Sequence, residues 1–310
     1  MKIVLLDALT LGDSDLSQLK KLGELSVYPI TENKQRLAHI ANNEVIITNK
    51  VIIDRIIIEA NPQLKLICIA ATGTNNVDLL AAEEAGIEVK NVCGYSTESV
   101  AQFTFSMLFQ LVHQSRYYDH YTQTKAWCCS PVFTHIEHSF FEIKGKRWGI
   151  IGFGAIGQRV ADIAQVFGCD LCYYSTSGKN NQQAIKQVDL PTLLSTCDII
   201  SIHAPLNAQT ENLIDEKALA LVKSGTVVLN LGRGGIIDES AMAQAIDLAG
   251  IYHGSDVLAV EPMGQDHPYF SVQAQSRLLI TPHIAWASAE ARVTLISALI
   301  SNITSYNAVC

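Results

Sequence analysis

The run Trp148-Gly149-Ile150-Ile151-Gly152-Phe153-Gly154-Ala155-Ile156-Gly157 limits the possible folds of this chain more than any other stretch. A strand-like apolar segment enters a G-x-G-x-x-G turn, and QRVADIAQVFG continues it as a helix. Gly152 permits the tight turn, Gly154 lets backbone approach a pyrophosphate, and Gly157 allows close packing of helix on strand. The helix start adds unpaired N–H groups and the positive end of a dipole. Gly-rich turns alone are weak signals, because most bind nothing. With a strand before and a helix after, this one reads as a dinucleotide site within a βαβ unit.

The surrounding chain alternates in the same way. Ile3–Leu6, Val45–Thr48 and Leu66–Ala70 read as strands, with helices around Asp15–Leu22, Lys34–Ala41, Asp54–Ala60 and Asp78–Ala85. From Arg147 a second series of strands follows: Trp148–Gly152, Asp170–Tyr174, Asp198–His203, Thr226–Leu231, Gly254–Val257 and Leu278–Ile280. Six strands suit two mononucleotide-binding halves. The helix opened by Thr97 is apolar on more than one face, which predicts extensive burial. The polar, aromatic-rich stretch Tyr117–Glu142 reads as an arm or extended loop, and Ser288–Tyr306 as one long helix. At 310 residues, this pattern predicts two α/β domains with parallel sheets.

Three polar residues stand where strands of the second series open into loops. Arg233 follows Val227-Val228-Leu229 in NLGRGG, Glu261 closes SDVLAVEP, and His283 follows Leu278-Leu279-Ile280 in TPHIAW. Ligands of open parallel sheets bind outside the carboxyl ends of the strands. Each residue has a structural alternative: a partner for a buried carboxylate, an exposed loop charge, a core histidine bonded to a carbonyl. Together they supply a guanidinium fork for a carboxylate, a carboxylate and an imidazole for proton transfer. With a nucleotide turn upstream, they point to a redox enzyme.

Other features narrow the setting. The formal net charge of −8 argues against a general nucleic-acid binder. Acidic residues interrupt the apolar start too early for a secretory signal, and no run reaches the roughly 18 apolar residues of a membrane span. A cytoplasmic protein without a membrane partner is expected. Cys169 and Cys172 form a CxxC in an apparent strand, where residues three apart face opposite sides. Cys128 and Cys129 with His135 and His138 make a better-placed metal candidate, but without the paired ligands of tetrahedral zinc. No metal is expected. At Ser175, which ends the second strand of the nucleotide series, no acid is present to hold the adenosine ribose 2′-hydroxyl. The hydroxyls there, with Lys179, tolerate a 2′-phosphate, so the cofactor expectation is NAD or NADP.

GFGAIG, HAPLNAQT, NLGRGGIID, SDVLAVEP and TPHIAWAS occur here in the order found in the D-isomer-specific 2-hydroxyacid dehydrogenases. The chain resembles that family over nearly its whole length, including ATGTNNVD and TESVAQFTF. The branch it most resembles is hydroxypyruvate reductase (D-glycerate dehydrogenase), chiefly through HIAWASAEAR with Trp286. The resemblance implies two Rossmann-like or flavodoxin-like domains with the active site in the cleft between them. It implies a substrate domain of residues 1–99 plus 286–310, and a cofactor domain of residues 100–285 that also carries a dimerisation helix and arm. It makes Arg233 the carboxylate-binding residue, His283 the acid/base and Glu261 its partner. It places Ala71, Thr72 and Gly73, with Trp286, toward the substrate. Ala155 and Ile156 would lie over the pyrophosphate, Ala204, Pro205 and Thr210 near the adenosine, and Leu231, Gly232 and Asp256 near the nicotinamide. Gln102 stands where relatives often carry Glu, with no mechanistic consequence drawn.

The implied reaction is reduction of a small 2-keto acid, with hydroxypyruvate to D-glycerate as the first choice. Glyoxylate or another 2-keto acid on the same scaffold is the near alternative, and a nicotinamide-sensing regulator the distant one. Formate dehydrogenases carry Gln at the position of Glu261, which argues against that chemistry. With the sequence ending at Cys310, the added regulatory domain of many phosphoglycerate dehydrogenases is not expected, although short forms of those enzymes exist. A homodimer acting on a small-molecule acid is expected.

Overall fold

The computed structural model describes residues 1–179 and 184–307. Two compact units emerge: Met1–Ser96 with Ala287–Cys310, and Thr97–Trp286. The first holds a five-stranded parallel sheet of β1 (Lys2–Leu5), β2 (Glu24–Val27), β3 (Val45–Thr48), β4 (Leu66–Ile69) and β5 (Glu88–Lys90), in the order β2-β1-β3-β4-β5. This is the flavodoxin-like order 2-1-3-4-5. Central β3 and β4 are buried throughout, as continuous apolar runs in a sheet covered on both faces should be. Between strands lie α1 (Arg36–Ile40), α2 (Arg55–Glu59) and α3 (Leu79–Glu84). Asp54 and Asp78 start the latter two by accepting the N–H groups of Ile57 and Ala81.

The second unit opens with α4 (Thr97–His113) and α5 (Ser115–Gln123). Its seven parallel strands are β6 (Arg147–Ile151), β7 (Asp170–Tyr174), β8 (Lys186–Gln187), β9 (Ile199–Ile202), β10 (Val227–Asn230), β11 (Tyr252–Ser255) and β12 (Leu278–Ile280). They lie in the order β12-β11-β10-β9-β6-β7-β8, so strand order reverses between β6 and β9. A ligand crevice belongs at the carboxyl ends on either side of such a reversal. The helices are α6 (Ala155–Val166), α7 (Leu190–Thr196), α8 (Glu216–Leu219) and α9 (Glu239–Leu248), the last three capped by Asp189, Asp215 and Asp238. Two apolar cores line the sheet. One includes Leu193, Ile200, Val228, Met242 and Ile246, and the other Leu108, Trp148, Ile150, Val160 and Leu229. Burying each such side chain contributes roughly 1.5–3 kcal/mol. Gly254 lets α4 lie close on β11, since a Cβ there would sit 2.6 Å from Met107. The chain then returns to the first unit as α10 (Ala289–Asn307).

Several elements differ from the sequence expectation. Residues 15–22 form only a 3-10 turn at Leu19–Lys21, because Asp15 spends its carboxylate on the Ser17 N–H and hydroxyl. The stretch expected as arm or loop from Tyr117 is helical as far as Gln123. Tyr117 and Tyr121, one turn apart, both stack on His135, a packing that aliphatic periodicity does not reveal. Strands β2, β5 and β8 were also not anticipated; none is fully buried, so none shows a continuous apolar run.

Candidate active site

The Gly-rich turn after β6 is built by contact. Gly152 has φ +87°, and a Cβ there would fall 2.7 Å from Ala204 N. At Gly157 it would fall 2.3 Å from the Gly152 carbonyl oxygen. Only Gly fits at either position. Gly154, before the first turn of α6, has nothing within 4 Å of an added Cβ, so its open side is where a pyrophosphate would approach the helix start. Ala155 and Ile156 begin α6.

The adjoining turns complete the cradle. A Cβ on Gly232 would sit 2.7 Å from the Ala204 carbonyl oxygen, so the turns after β6, β9 and β10 are packed edge to edge. Ala204 is buried, and Thr210 is buried with its hydroxyl donating to Pro205 O at 2.7 Å and accepting Asn207 N–H at 2.9 Å. Thr210 therefore fastens its own loop. Ser175, at the end of β7, has a buried Oγ without a hydrogen-bond partner among the described residues. His203, at the end of β9, has two buried ring nitrogens in the same condition, and burial pushes its imidazole down to about 3. Polar atoms held this way fit a bound polar ligand that supplies their partners. With Gly154 open beside them, the residues present fit a dinucleotide.

The next three strand ends carry the charged residues. Asn230 shapes the turn after β10: its side chain accepts Gly232 N–H and donates to Arg233 O. Leu231 and Gly232 are buried, while Arg233 is half-buried. The Arg233 guanidinium donates to Gly232 O at 2.8 Å and forms no ion pair among the described residues. Glu261 Oε1 accepts Leu258 N–H at 2.9 Å, and its Oε2 lies 2.7 Å from His283 Nδ1. The other ring nitrogen, Nε2, is thereby left as the one to exchange a proton with a ligand. His283 has φ +55°, an unusual conformation for a non-glycine residue.

Asp256 fixes the loop that carries His283. Its carboxylate accepts the Thr281 hydroxyl at 2.6 Å and the N–H groups of Ile284 and Ala285 at 2.9 and 2.8 Å. Burial raises its pKa, opposed by those three donors and by His283. Trp286 packs beside the core under α4. In the first unit, residues 71–73 follow β4; Thr72 Oγ1 donates to Val92 O, and Thr72 O accepts the Asn91 side chain.

Sequence reasoning missed His203 and Asn230, although both lie inside motifs it had quoted. Cys172 and Cys169 do face opposite sides: Cys172 meets Cys197 at 3.5 Å in one core, and Cys169 donates to Ile143 O beside the other. His135 bonds Tyr117 and pairs with Glu137, and no cluster of three metal-ligating side chains occurs among the described residues. Among those residues, no helix is long and apolar enough to cross a membrane.

Comparison with known proteins agrees with this geometry. Residues 105–285 match the family model described as D-isomer specific 2-hydroxyacid dehydrogenase, NAD binding domain. The chain is 33% identical to a hydroxypyruvate reductase of Blautia hydrogenotrophica, over 99% of this chain and 97% of that one. It is 31% identical to a glycerate dehydrogenase of Methylorubrum extorquens, covering 98% and 96%. Among solved structures, an acyclic imino acid reductase in complex with NADPH and D-Arg superposes with a TM-score of 0.86 at 30% identity, covering 99% and 97%. The chain therefore belongs to the D-isomer-specific 2-hydroxyacid dehydrogenases, oxidoreductases that work with a nicotinamide dinucleotide.

Proposed function

We propose that this enzyme reduces hydroxypyruvate to D-glycerate, with Arg233 holding the substrate carboxylate and His283 supplying the proton. The observation that carries this reading is the Glu261–His283 pair, in which both carboxylate oxygens are committed. A reduced nicotinamide, when bound, supplies the hydride to substrate C2. Arg233, with no acidic partner of its own among the described residues, grips the keto acid by a bidentate fork. His283 Nε2 gives its proton to the oxygen developing at C2, and the Glu261 carboxylate stabilises the cationic ring before that transfer. Asp256 keeps the His283 loop in register through its three hydrogen bonds. Residues 71–73 and Trp286 are assigned to the substrate on the family resemblance.

Hydroxypyruvate is preferred to glyoxylate because two of the relatives named above, each similar over nearly the whole chain, act by their names on hydroxypyruvate and on glycerate. The Ser175 hydroxyl, which has no hydrogen-bond partner among the described residues and stands without an acid in its place, favours acceptance of NADPH beside NADH. A homodimer is proposed on the exposed apolar side chains Trp127, Val132, Phe133, Ile136 and Phe140, a patch of the kind that marks an interface. A cytoplasmic location remains part of the reading.

The test is initial-rate oxidation of NADH and NADPH with hydroxypyruvate, glyoxylate, pyruvate and 3-phosphohydroxypyruvate. The highest kcat/KM with hydroxypyruvate supports the assignment. A higher value for any other keto acid replaces the substrate. No turnover with any of them, alongside measurable NADH binding, overturns the enzyme reading in favour of a nicotinamide sensor.

A further inference from the structure

The second unit holds another histidine–carboxylate pair, outside the turns described above. Glu239 is the first residue of α9, and His267 lies in the loop between β11 and β12. His267 Nε2 is 3.0 Å from Glu239 Oε2, with only 8% and 15% of the two side chains exposed. His267 Nδ1 accepts the Tyr269 N–H at 3.2 Å. A ring nitrogen that accepts a backbone hydrogen bond carries no proton, so Nε2–H is the donor to Glu239.

The second oxygen of Glu239 connects the pair to the site. Oε1 accepts the N–H of Ala259 at 2.7 Å. The residue before it, Leu258, donates its own N–H to Glu261 Oε1. Gly234, one residue from Arg233, packs directly against the same segment: a Cβ there would lie 1.9 Å from the Leu258 carbonyl and 2.3 Å from Ala259 N.

We propose that Glu239 and His267 are positioning residues for the Glu261–His283 pair, acting through the backbone of residues 258–261. His267 orients the Glu239 carboxylate, Glu239 holds the Ala259 peptide, and the adjacent Leu258 N–H is thereby aimed at Glu261. The inference rests on the acid/base reading of His283 given above.

The test compares Glu239→Gln, His267→Phe, His267→Gln and Glu261→Gln, with the double variant of Glu239→Gln and Glu261→Gln, in the full-length enzyme. In Glu239→Gln a single amide oxygen is left for two donors, His267 Nε2–H and Ala259 N–H, so one link of the chain from His267 to Ala259 is broken at almost constant volume. Glu239→Gln and His267→Phe are each expected to lower kcat about tenfold with cofactor KM unchanged, the scale of a modest misplacement. His267→Gln retains a donor and should recover most of the loss. In the Glu261→Gln background, Glu239→Gln should cost less than about twofold more, because its effect passes through Glu261.

An equal cost in both backgrounds overturns the proposal, as does wild-type kcat in Glu239→Gln while Glu261→Gln is impaired. Wild-type kcat in Glu261→Gln instead brings down the acid/base reading itself. If Glu239→Gln fails to fold, the comparison of His267→Phe with His267→Gln decides the matter: equal losses overturn it, and rescue by Gln sustains it.

Discussion

A single added methyl group at Gly234 should disable the site without touching any residue that handles a proton. The Cβ of Gly234→Ala would lie 1.9 Å from the carbonyl carbon and oxygen of Leu258 and 2.3 Å from Ala259 N. Ordinary contact begins near 3.4 Å, so the backbones must separate by about 1.5 Å (3.4 minus 1.9). No flexible side-chain end is available to absorb that movement, since the opposing atoms are backbone. Leu258 N–H is 2.9 Å from Glu261 Oε1, and a shift of that size exceeds what the bond tolerates. Misplacement by about 1 Å costs on the order of 100-fold in rate, and overpacking about 1–3 kcal/mol in stability. For a domain of this size each kcal/mol lowers Tm by roughly 2–4 °C. The assay is single-turnover NADH oxidation at saturating keto acid, together with urea unfolding. Gly264→Ala, where an added Cβ meets nothing within 4 Å, is the control expected to behave as wild type. A Gly234→Ala rate within threefold of wild type would refute the argument that this contact sets the position of Glu261.

Arg233→Ala should lower kcat/KM for the keto acid by roughly 10- to 150-fold, the value of a charged hydrogen bond, while the Kd for NADH measured by fluorescence stays unchanged. His283→Ala should reduce kcat by roughly 100-fold or more for both keto-acid reduction and hydroxy-acid oxidation. A loss of less than about tenfold in kcat would show that another group carries the proton. Ser175→Asp should lower the NADPH/NADH ratio of kcat/KM at least about tenfold, since a carboxylate accepts the ribose hydroxyl and repels its phosphate; an unchanged ratio would contradict the assignment. Burial pushes His203 down to about 3 and His253 down to about 4. As pH falls below about 6.5 the unfolded chain takes up protons that the folded one refuses, so stability declines with falling pH until the folded histidines titrate. Unfolding free energy should drop by about 2 kcal/mol per histidine between pH 7 and 5, and a flat profile there would exclude the effect.

What could be read from the sequence followed from how local each signal is. Val45–Thr48, Asp170–Tyr174 and Leu278–Ile280 were legible to the residue because their apolar runs stand between polar turns. The Gly152, Gly154 and Gly157 spacing was legible because one turn geometry requires it. Strand β8 was not, being two exposed residues held only by pairing with β7. The parts of the site that escaped notice depend on distant partners. His203 matters because its buried ring nitrogens have no hydrogen-bond partner among the described residues, and Glu239 because α9 brings it to Ala259, 20 residues away. Nothing in the neighbourhood of either residue announces those contacts.

The division of the chain has a consequence for its synthesis. The first unit needs both Met1–Ser96 and the stretch from Ala287, with the whole second unit lying between them in sequence. Helix α10 supplies bonds that unit otherwise lacks: Asn302 O accepts from Lys90, and Arg292 bonds Leu11 O and Asp13. At about 5–20 residues per second, the ribosome delivers that helix roughly 10–40 s after the first sheet has emerged. The unit begun first is thus completed last. During that interval the apolar face meant for α10 stays uncovered on the nascent chain, while the nucleotide unit already has every residue it needs to fold.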